Sequence, residues 1–398
     1  MDIAHLHFLV AQADPSERRA LVALLGQLGA GQVTDVADGA AALQALEASA
    51  TPRVNVALID LDLPGMDGLT LLRRLGEIQC GARLIVTGAQ PAGLLFSVET
   101  LAEAFGIELL GAIARPVTAV TLKPVLENYT PLPRLAQTPA EPRFTFQQVG
   151  IGLQKRQFEP YFQPKIELAT GQVKGLEVFA RWNHPEHGVL GPASFVDALG
   201  ESGRIDFLDW SMIELSVERQ RWLQDQDIAI PISLNIASET LAHPAFVRQM
   251  SACLERHGVA ATDVTFEISE SSVLNTDPDF IERLVRLRMM GFGLAIDDYG
   301  TGRSNLQLLA RIPFTELKID RSFVDGASRR LPLSTLLRSC LSLAHSLDRK
   351  SVAVGVETRR DWDFLQALGC TYAQGYHIAN PMPATAFPAW LSDWRQYF

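Results

Sequence analysis

The chain has 398 residues, of which 47% are hydrophobic and 20% are charged. This length predicts two domains, and the composition is that of a globular protein that can bury large cores. The formal net charge of −10 argues against a nucleic-acid partner, because binding to a phosphate backbone needs clustered Lys and Arg. A compact phosphate ligand held by one or two basic residues remains compatible with this charge.

The beginning of the chain and its cysteines predict its location. The segment "MDIAHLHFLV" lacks the basic region of a signal peptide, and no stretch approaches the roughly 18 apolar residues of a transmembrane helix. Cys80, Cys253, Cys340 and Cys370 are widely separated and form no CxxC pair, which favours free thiols over disulfides. We therefore expect a cytoplasmic protein with no membrane partner.

The first third of the chain alternates short apolar runs with amphipathic helical patterns. Alternation of this kind predicts a doubly wound α/β sheet of five βα units, with any ligand at the carboxyl ends of the strands. The predicted helices include "SERRALVALLGQL" and "GLTLLRRLGEI". The predicted buried strands are residues 7–11, 54–60, 82–88 and 108–114.

Three of these strand ends resemble a CheY-like receiver domain of a two-component response regulator. The motif "LIDLDLPGMDG" is similar to the family's phosphoacceptor signature, and it maps the acceptor onto Asp60. Thr87 matches the family's hydroxyl position, and Arg115 precedes Pro116 where the family has Lys-Pro. The resemblance implies that a sensor kinase phosphorylates Asp60 beside a bound Mg²⁺.

Other positions depart from the receiver pattern. Gln12 and Ala13 replace the two adjacent acids that hold Mg²⁺ in the family, and Asp14 lies too far along to substitute for them. Because the metal neutralises the charge that develops on the phosphoryl group, we expect Asp60 to be poorly phosphorylated. The domain would then serve for docking, with a working phosphoswitch as the alternative.

A proline-rich segment follows. Residues 129–143 hold four prolines in a polar stretch, and such segments resist both helix and central strand. We predict a semi-rigid linker here between a receiver-like domain at 1–128 and a second domain at 144–398.

The second domain has a longer series of βα repeats, which predicts a (β/α)₈ barrel with its functional residues at the carboxyl ends of the strands. Seven strands are predicted, and each ends within one of the following segments: "LEVFARW", "PISLNIA", "VTFEISE", "GLAIDD", "ELKID", "SVAVGVE" and "YAQGY". Closing the barrel would gather the polar residues at these ends: Glu177, Asn235, Glu267, Asp297, Asp298, Lys318 and Gln374.

Four or more carboxylates around one rim, opposed mainly by Lys318, would repel one another strongly. A divalent cation relieves this repulsion, and oxygen donors from Asp, Glu and Asn suit Mg²⁺ or Mn²⁺ better than zinc. The pattern therefore predicts a magnesium or manganese site at the barrel rim.

The same segments resemble the EAL domain, a family of phosphodiesterases that linearise cyclic di-GMP. "EVFARW" is similar to the family's E-A-L-x-R-W signature, and further motifs follow in family order, among them "LNIASETL", "FEISES", "DDYGTGRSNL", "LKIDRSFV" and "GCTYAQGY". The resemblance covers roughly residues 145–390. Together with the first domain, it implies a response-regulator phosphodiesterase.

This resemblance also assigns roles to single residues. It implies metal ligands at Glu177, Asn235, Glu267 and Asp297, with Asp298 at a second metal or the attacking water. Lys318 would face that water or the scissile phosphate, and Glu270 would brace the "DDYGTG" loop. Arg181 would bind a ligand phosphate, and Gln163 and Gln374 would bind the substrate. The family also implies a homodimer formed through this domain.

The most consequential departure lies in "AVGVE", where the family reads A-E-G-V-E and uses its first Glu as the catalytic base. Val354 stands at that position and cannot accept a proton. Glu357 keeps the second acid and is the remaining catalytic candidate, although it lies three residues further on. Other departures are Phe179, Arg303, Asn305 and Asn380.

These departures lead to one main hypothesis and two alternatives. We expect a degenerate EAL domain that binds cyclic di-GMP, or a partner protein, with lost or strongly impaired hydrolysis. The first alternative is an active Mg²⁺- or Mn²⁺-dependent phosphodiesterase that gives the linear dinucleotide. The second is a protein–protein module that no longer binds the nucleotide.

Overall fold

The structure is a computed structural model that describes residues 3–47, 53–107, 109–127, 129, 142–273, 278–301, 309 and 312–396. The chain divides into two compact units, Met1–Thr138 and Pro139–Phe398, which we call the sheet domain and the barrel domain. Most of the predicted linker, as well as Arg303 and Asn305, lies outside the described residues.

The described residues of the sheet domain form five strands and five helices. Its strands pair in parallel in the order β2-β1-β3-β4-β5, which confirms the predicted doubly wound fold. The elements are β1 (His7–Ala11), α1 (Pro15–Gln27), β2 (Gln32–Val36), α2 (Gly39–Leu46), β3 (Val56–Asp60), α3 (Gly68–Glu77), β4 (Arg83–Gly88), α4 (Ala92–Ala104), β5 (Leu109–Ala114) and α5 (Ala119–Leu126).

The three central strands of this sheet carry its core. β1, β3 and β4 are buried along their whole length, and two hydrophobic clusters pack around them. The sequence prediction missed β2, whose residues "QVTDV" are exposed or half-buried. An edge strand of this kind lacks the continuous apolar run that marks a buried parallel strand.

The barrel domain begins with a helix and a strand hairpin. The elements of its first half are α6 (Phe146–Gln154), β6 (Phe158–Glu167), β7 (Val173–His184), β8 (Gly188–Leu190), α7 (Val196–Glu201), α8 (Ile205–Gln224), β9 (Ile232–Asn235), α9 (Ser238–Ala242), α10 (Phe246–His257) and β10 (Val264–Ser269). Those of its second half are α11 (Glu270–Val273), α12 (Pro278–Met289), β11 (Gly293–Tyr299), β12 (Glu316–Ile319), α13 (Arg321–Val324), α14 (Leu331–Ser346), β13 (Lys350–Val354), α15 (Arg359–Ala367), β14 (Tyr372–Gln374), β15 (Met382–Pro383) and α16 (Phe387–Trp394).

Eight of these strands close into a barrel in the order β6-β7-β9-β10-β11-β12-β13-β14, with β14 pairing back to β6. Seven strands are parallel, and β6 is antiparallel to both of its neighbours. The sequence analysis did not predict β6 as a strand. Its residues "FEPYFQPKIE" contain two prolines, which usually argue against a strand inside a sheet.

The barrel core is rich in aromatic side chains. Phe162, Phe246, Phe266 and Phe292 are fully buried within one hydrophobic cluster. All four cysteines are free thiols, in keeping with the prediction. Within the described part of the chain, no helix combines the length and the apolar character needed to cross a membrane.

Candidate active site

The structure places the seven predicted rim residues at one end of the barrel. Five of them lie on five different strands, within the strand or at its carboxyl end. The other two, Asp297 and Asp298, are adjacent near the end of β11. Parallel strands of a barrel all end at the same face, so residues far apart in the chain meet there.

Lys318 lies at the centre of this group and is buried, with 1% of its surface exposed. Its Nζ lies 2.9 Å from Glu177 Oε2 and 3.0 Å from Asp297 Oδ1, and it also donates to Glu267. Asn235 Nδ2 donates to the other oxygen of Glu177, at 3.0 Å. One ammonium group therefore contacts three carboxylates.

The pKa values of this cluster show that its charges are unbalanced. Burial raises the pKa of Glu267 well above its usual range, and the neighbouring charge of Glu177 raises it further. Burial also raises the pKa of Asp297, against the opposing effect of Lys318. Burial alone would raise the pKa of Glu177, but Lys318 and the hydrogen bond from Asn235 outweigh it and lower that pKa. The cluster is thus one in which added positive charge would be favourable.

The same carboxylates fit a divalent cation. Glu177, Glu267 and Asp297 each present an oxygen, and these oxygens lie within 4.8 Å of one another. A set of oxygen donors is the one that Mg²⁺ and Mn²⁺ prefer. The exposed amide of Asn235 lies beside them, as its bond to Glu177 shows.

Asp298 is the second-last residue of β11, next to the loop that follows this strand. Its φ of +54° lies in the left-handed region, and its carbonyl accepts hydrogen bonds from the backbone N–H and the hydroxyl of Thr301. Glu270 is buried and accepts a 2.7 Å hydrogen bond from the Gly300 N–H. Glu270 therefore fixes the backbone of Gly300, just after β11.

The two glutamines with predicted substrate-binding roles form a buried chain of hydrogen bonds. Gln374 Nε2 donates to Gln163 Oε1 at 2.8 Å and to Glu177 Oε2 at 2.7 Å, while Gln163 Nε2 donates to the carbonyl of Ala379. The Oε1 atom of Gln374 is buried and accepts no hydrogen bond from the described residues. The pair braces Glu177 and leaves one acceptor for a further partner.

Arg181 lies on the same strand as Glu177, four residues later. Because side chains alternate along a strand, Glu177, Phe179 and Arg181 share one face of β7. The Arg181 guanidinium lies 5.7 Å from the centroid of the Phe179 ring and 5.8 Å from that of Tyr161, and it donates to the Ala180 carbonyl. These contacts hold the guanidinium near the barrel rim.

The sheet domain has a second carboxylate cluster, centred on Asp60. This residue is fully buried at the end of β3, with Thr87 as its register partner on β4. Gln12 Nε2 donates to Asp60 Oδ2 and, at 2.9 Å, to Glu17. Burial raises the pKa of Asp60, against the opposing effects of the Asp62 N–H and Arg115.

Arg115 supplies the positive charge of this second cluster. Its guanidinium lies 3.0 Å from Glu17, 2.5 Å from Asp62 and 3.5 Å from Asp60. The sequence analysis missed Glu17 and Asp62 as members of this site, although Asp62 lies inside the quoted motif. Asp14 caps α1 by accepting hydrogen bonds from two backbone N–H groups of its first turn. It therefore has a structural role as the cap of this helix.

Comparison with known proteins identifies both domains. Residues 147–381 match the EAL domain, and residues 8–125 match the response regulator receiver domain. The chain belongs to the EAL domain family. The sheet domain is its receiver domain, and the barrel domain is its EAL domain.

One relative matches this chain along nearly its whole length. The chain is 33% identical to the cyclic di-GMP phosphodiesterase RocR of Pseudomonas aeruginosa over 386 residues, which cover 96% of this chain and 97% of RocR. The solved structure of the PaMucR phosphodiesterase in complex with c-di-GMP is 32% identical, with a TM-score of 0.57, and covers 61% of this chain and 98% of that one. The EAL enzyme Bd1971, bound to cAMP and cyclic di-GMP, is 25% identical with a TM-score of 0.59, over 76% of this chain and 77% of its own.

Within the EAL domain, Val354 points toward the carboxylate cluster. Val354 ends β13, and its register partner is Gln374, whose side chain reaches Glu177. Register partners project from the same face of a sheet, so the half-buried Val354 side chain faces the barrel mouth. It brings no oxygen or nitrogen atom to this position.

The structure does not bring Glu357 to the cluster. Gly355, with a φ of +77°, turns the chain after β13, and Glu357 is exposed and pairs with Arg321 at 3.3 Å. The sequence analysis retained Glu357 as a catalytic candidate. The turn at Gly355 directs Glu357 away from the cluster, and its carboxylate therefore pairs with Arg321 at the surface.

A cavity of about 490 Å³ opens beside the cluster. It reveals a residue that the sequence analysis missed, Asp209 on α8, which lines the cavity and is buried. Asp209 accepts hydrogen bonds from the Ala237 N–H at 3.1 Å and the Thr240 hydroxyl at 2.6 Å, and burial raises its pKa to about 6. It holds the segment that follows Asn235. No sequence signal marks it, because it lies within a long helix, away from the strand ends.

Proposed function

We propose that the EAL domain binds cyclic di-GMP at the carboxyl end of the barrel, together with Mg²⁺ or Mn²⁺, and hydrolyses it only weakly. The protein would act mainly as a cyclic di-GMP effector in a response-regulator pathway. The observation that carries this proposal is Val354, an apolar side chain that faces an otherwise complete cluster of acidic, amide and basic groups.

Several features support binding. The cavity beside the cluster has room for part of a dinucleotide, and Phe179 contributes to its lining. Arg181 lies along the same strand face, where a guanidinium can form charge-assisted hydrogen bonds to a phosphate. The unpaired acceptor on Gln374 suits an N–H donor such as those on a guanine edge. The solved structures of PaMucR and Bd1971 contain cyclic di-GMP.

The chemistry of the cluster is consistent with binding a phosphodiester. Glu177, Asn235, Glu267 and Asp297 would hold the divalent cation, with Asp298 beside them. Such a cation neutralises phosphate charge and lowers the pKa of a bound water. Lys318, whose own pKa is raised well above normal by its three carboxylates against the opposing effect of burial, stays protonated and can donate to a phosphate oxygen but cannot act as a base.

Hydrolysis also needs an acceptor for the proton of the attacking water. A positioned general base typically contributes about 10²–10⁴-fold in rate. Val354 cannot serve, and Glu357 is held by Arg321 at the surface. We therefore infer that turnover is slow even when the ligand and the cation are bound.

For the receiver domain we propose a docking role that does not depend on phosphorylation. Arg115 forms a 3.5 Å ion pair with Asp60 and the Gln12 amide donates a hydrogen bond to it, at the place where the family's acids would hold a metal. Gln12 and Ala13 provide no carboxylate. The domain would transmit its signal through contacts with a partner such as a sensor kinase or another signalling protein.

One experiment separates the candidate functions. Calorimetric binding of cyclic di-GMP and its turnover to the linear dinucleotide should be measured on one preparation, with Mg²⁺ and with Mn²⁺. We expect binding with little turnover. The 33% identity to RocR along nearly the whole chain favours the alternative of an active phosphodiesterase, which fast turnover would establish. Absence of binding would reject both and leave a protein–protein module.

A further inference from the structure

Helices α8 and α10 bring together three side chains that can bind a metal. This cluster is separate from the one at the barrel mouth. His257 Nε2 lies 2.7 Å from Glu214 Oε1, and the Cys253 thiol lies 3.4 Å from Glu214 Oε2. One possible ligand atom from each residue lies within 4.8 Å of the other two. This cluster is chemically different from the oxygen-only cluster at the barrel rim.

The spacing of these residues follows from helix geometry. Cys253 and His257 are four residues apart on α10, and residues at this spacing lie one above the other on the same helix face. Glu214 lies on the face of α8 that packs against α10, as its bonds to both residues show. Two neighbouring ligands on one helix and a third from the facing helix make a compact, preformed set.

We propose that Glu214, Cys253 and His257 bind a zinc-class divalent cation. Thiolate, imidazole and carboxylate are all zinc ligands, at about 2.0–2.3 Å from the metal. The ligand atoms of a tetrahedron with these bond lengths are about 3.3–3.7 Å apart, so the separations seen here need only small side-chain shifts. A soft sulfur ligand selects zinc over magnesium, which separates this site from the barrel cluster.

The surroundings of the cluster favour a cation. His257 is the last residue of α10, and the carboxyl end of a helix carries partial negative charge. Cys253 is buried, with 2% of its surface exposed, while the side chains of His257 and Glu214 are 19% and 40% exposed. The cation can therefore enter from solvent and lie against the buried sulfur, with water as its fourth ligand.

Binding changes the protonation of the cluster in a defined way. The protonated Cys253 thiol donates a hydrogen bond to Glu214 in the metal-free protein, and its proton is released to solvent when the thiolate bonds to the cation. Arg256 also pairs with Glu214, at 2.6 Å, and it can remain as an outer hydrogen-bond partner of the ligating carboxylate.

The site would link a surface helix to the cavity wall. α8 carries Asp209 and Met212, which line the cavity beside the barrel cluster, and Glu214 follows them on the opposite face of the helix. A cation that joins Glu214 to α10 would fix α8 in place. Zinc would then stabilise the wall of the ligand cavity without contacting the ligand.

The test uses the full chain, stripped with a chelator and titrated with Co²⁺ in the presence of excess Mg²⁺, which is added to compete for the oxygen ligands of the barrel cluster. We expect one Co²⁺ per chain with an intense thiolate-to-cobalt absorption in the near ultraviolet, displaced by Zn²⁺. Cys253→Ala should abolish this absorption, while Cys340→Ala, which removes a thiol on α14, should leave it unchanged. His257→Gln and Glu214→Gln should weaken Co²⁺ binding by roughly a hundredfold, as expected for the loss of one of three ligands.

Three results would overturn the proposal: no thiolate-to-cobalt absorption, absorption that persists in Cys253→Ala, or equal Co²⁺ affinity in the wild type and His257→Gln. The last measurement keeps the test decisive if Cys253→Ala fails to fold, since His257 is partly exposed and Gln is readily accommodated there. If the three residues form only an ion-pair network that binds no metal, Co²⁺ affinity should be equal in the wild type and in His257→Gln.

Discussion

Both domains hold a group of carboxylates around one basic side chain. The two groups differ in how completely the positive charge of that side chain offsets the negative charge of the carboxylates. In the EAL domain, Lys318 and its partners Glu177 and Glu267 are buried, with side-chain exposures of 4% or less. In the receiver domain, Arg115 pairs with Asp62 and Glu17, whose side chains are about half exposed. Water therefore screens the receiver cluster, whereas the EAL cluster is shielded from water and is stabilised mainly by its own groups.

This difference explains why the two sites should respond differently to divalent cations. Raised pKa values at Glu267 and Asp297 mean that negative charge is costly at the EAL site and that added positive charge stabilises it. In the receiver domain burial raises the pKa of Asp60 as well, but this is the only fully buried acid of its cluster among the described residues, and Arg115 and Gln12 already contact it. A carboxylate cluster is thus a candidate metal site only when its own cations and amides leave charge uncompensated.

The largest expected effect tests whether the EAL site lacks mainly its base. Val354→Glu should raise hydrolysis of cyclic di-GMP by about 10²-fold, the lower range for a general base, when turnover is measured at saturating Mn²⁺. Val354→Gln has the same size without a carboxylate and should show no gain. Adding Asp297→Asn to Val354→Glu should erase it. A folded, ligand-binding Val354→Glu variant without any gain would show that Phe179 or another departure also blocks catalysis.

The next effect measures the difference between the two clusters directly. Mn²⁺ at a hundred times its dissociation constant should stabilise the EAL domain by about 2.7 kcal/mol, seen as a rise in its thermal unfolding midpoint. Asp297→Asn should remove this rise, and the matched receiver variant Asp60→Asn should retain it. If Asp297→Asn and Asp60→Asn lost the Mn²⁺-dependent rise equally, the proposed difference between the two clusters would be wrong.

The same experiment has a predictable pH dependence. A carboxyl group whose pKa is raised by folding contributes its stability below the unfolded value and loses it as pH rises through the folded value. Because the pKa values of Glu267 and Asp297 are raised, the metal-free EAL domain should lose stability as pH rises from acidic toward neutral. Mn²⁺ should reduce this loss, which thermal melts over a pH series would detect.

A smaller effect is expected at the ligand phosphate. Arg181→Ala should weaken cyclic di-GMP binding by roughly ten- to a hundredfold, since a hydrogen bond to a charged group contributes about 1.5–3 kcal/mol. Calorimetry would measure it, with Arg221→Ala as the control, because Arg221 forms a surface pair with Asp225 on α8. Unchanged affinity in Arg181→Ala would remove this residue from the site.

The smallest effect is expected in the receiver domain. Acetyl phosphate and Mg²⁺ should add little phosphoryl group to the full chain, as intact-mass measurement would show, and Asp60→Asn should change neither ligand binding nor turnover. Extensive modification that disappears in Asp60→Asn would establish a working phosphoswitch. It would also show that Arg115 and Gln12 can move aside for a metal.

Much of the fold follows from local pattern. The strands β1 and β3–β5 are continuous apolar runs, and their bounds match the predictions within two residues. The elements that were missed lack such a run or contain residues that argue against a strand. β2 is a polar edge strand, and β6 contains two prolines yet closes the barrel as its antiparallel member.

The sequence by itself determined seven residues of the barrel mouth, because most of the parallel strands carry a polar residue toward their carboxyl ends, after an apolar run. Only the tertiary structure decided how their charges combine. Arg115 meets Glu17 across 98 positions of sequence, Lys318 meets Glu267 across 51, and His257 meets Glu214 across 43. Electrostatic balance depends on distance and burial in space, and no local pattern of residues contains either quantity.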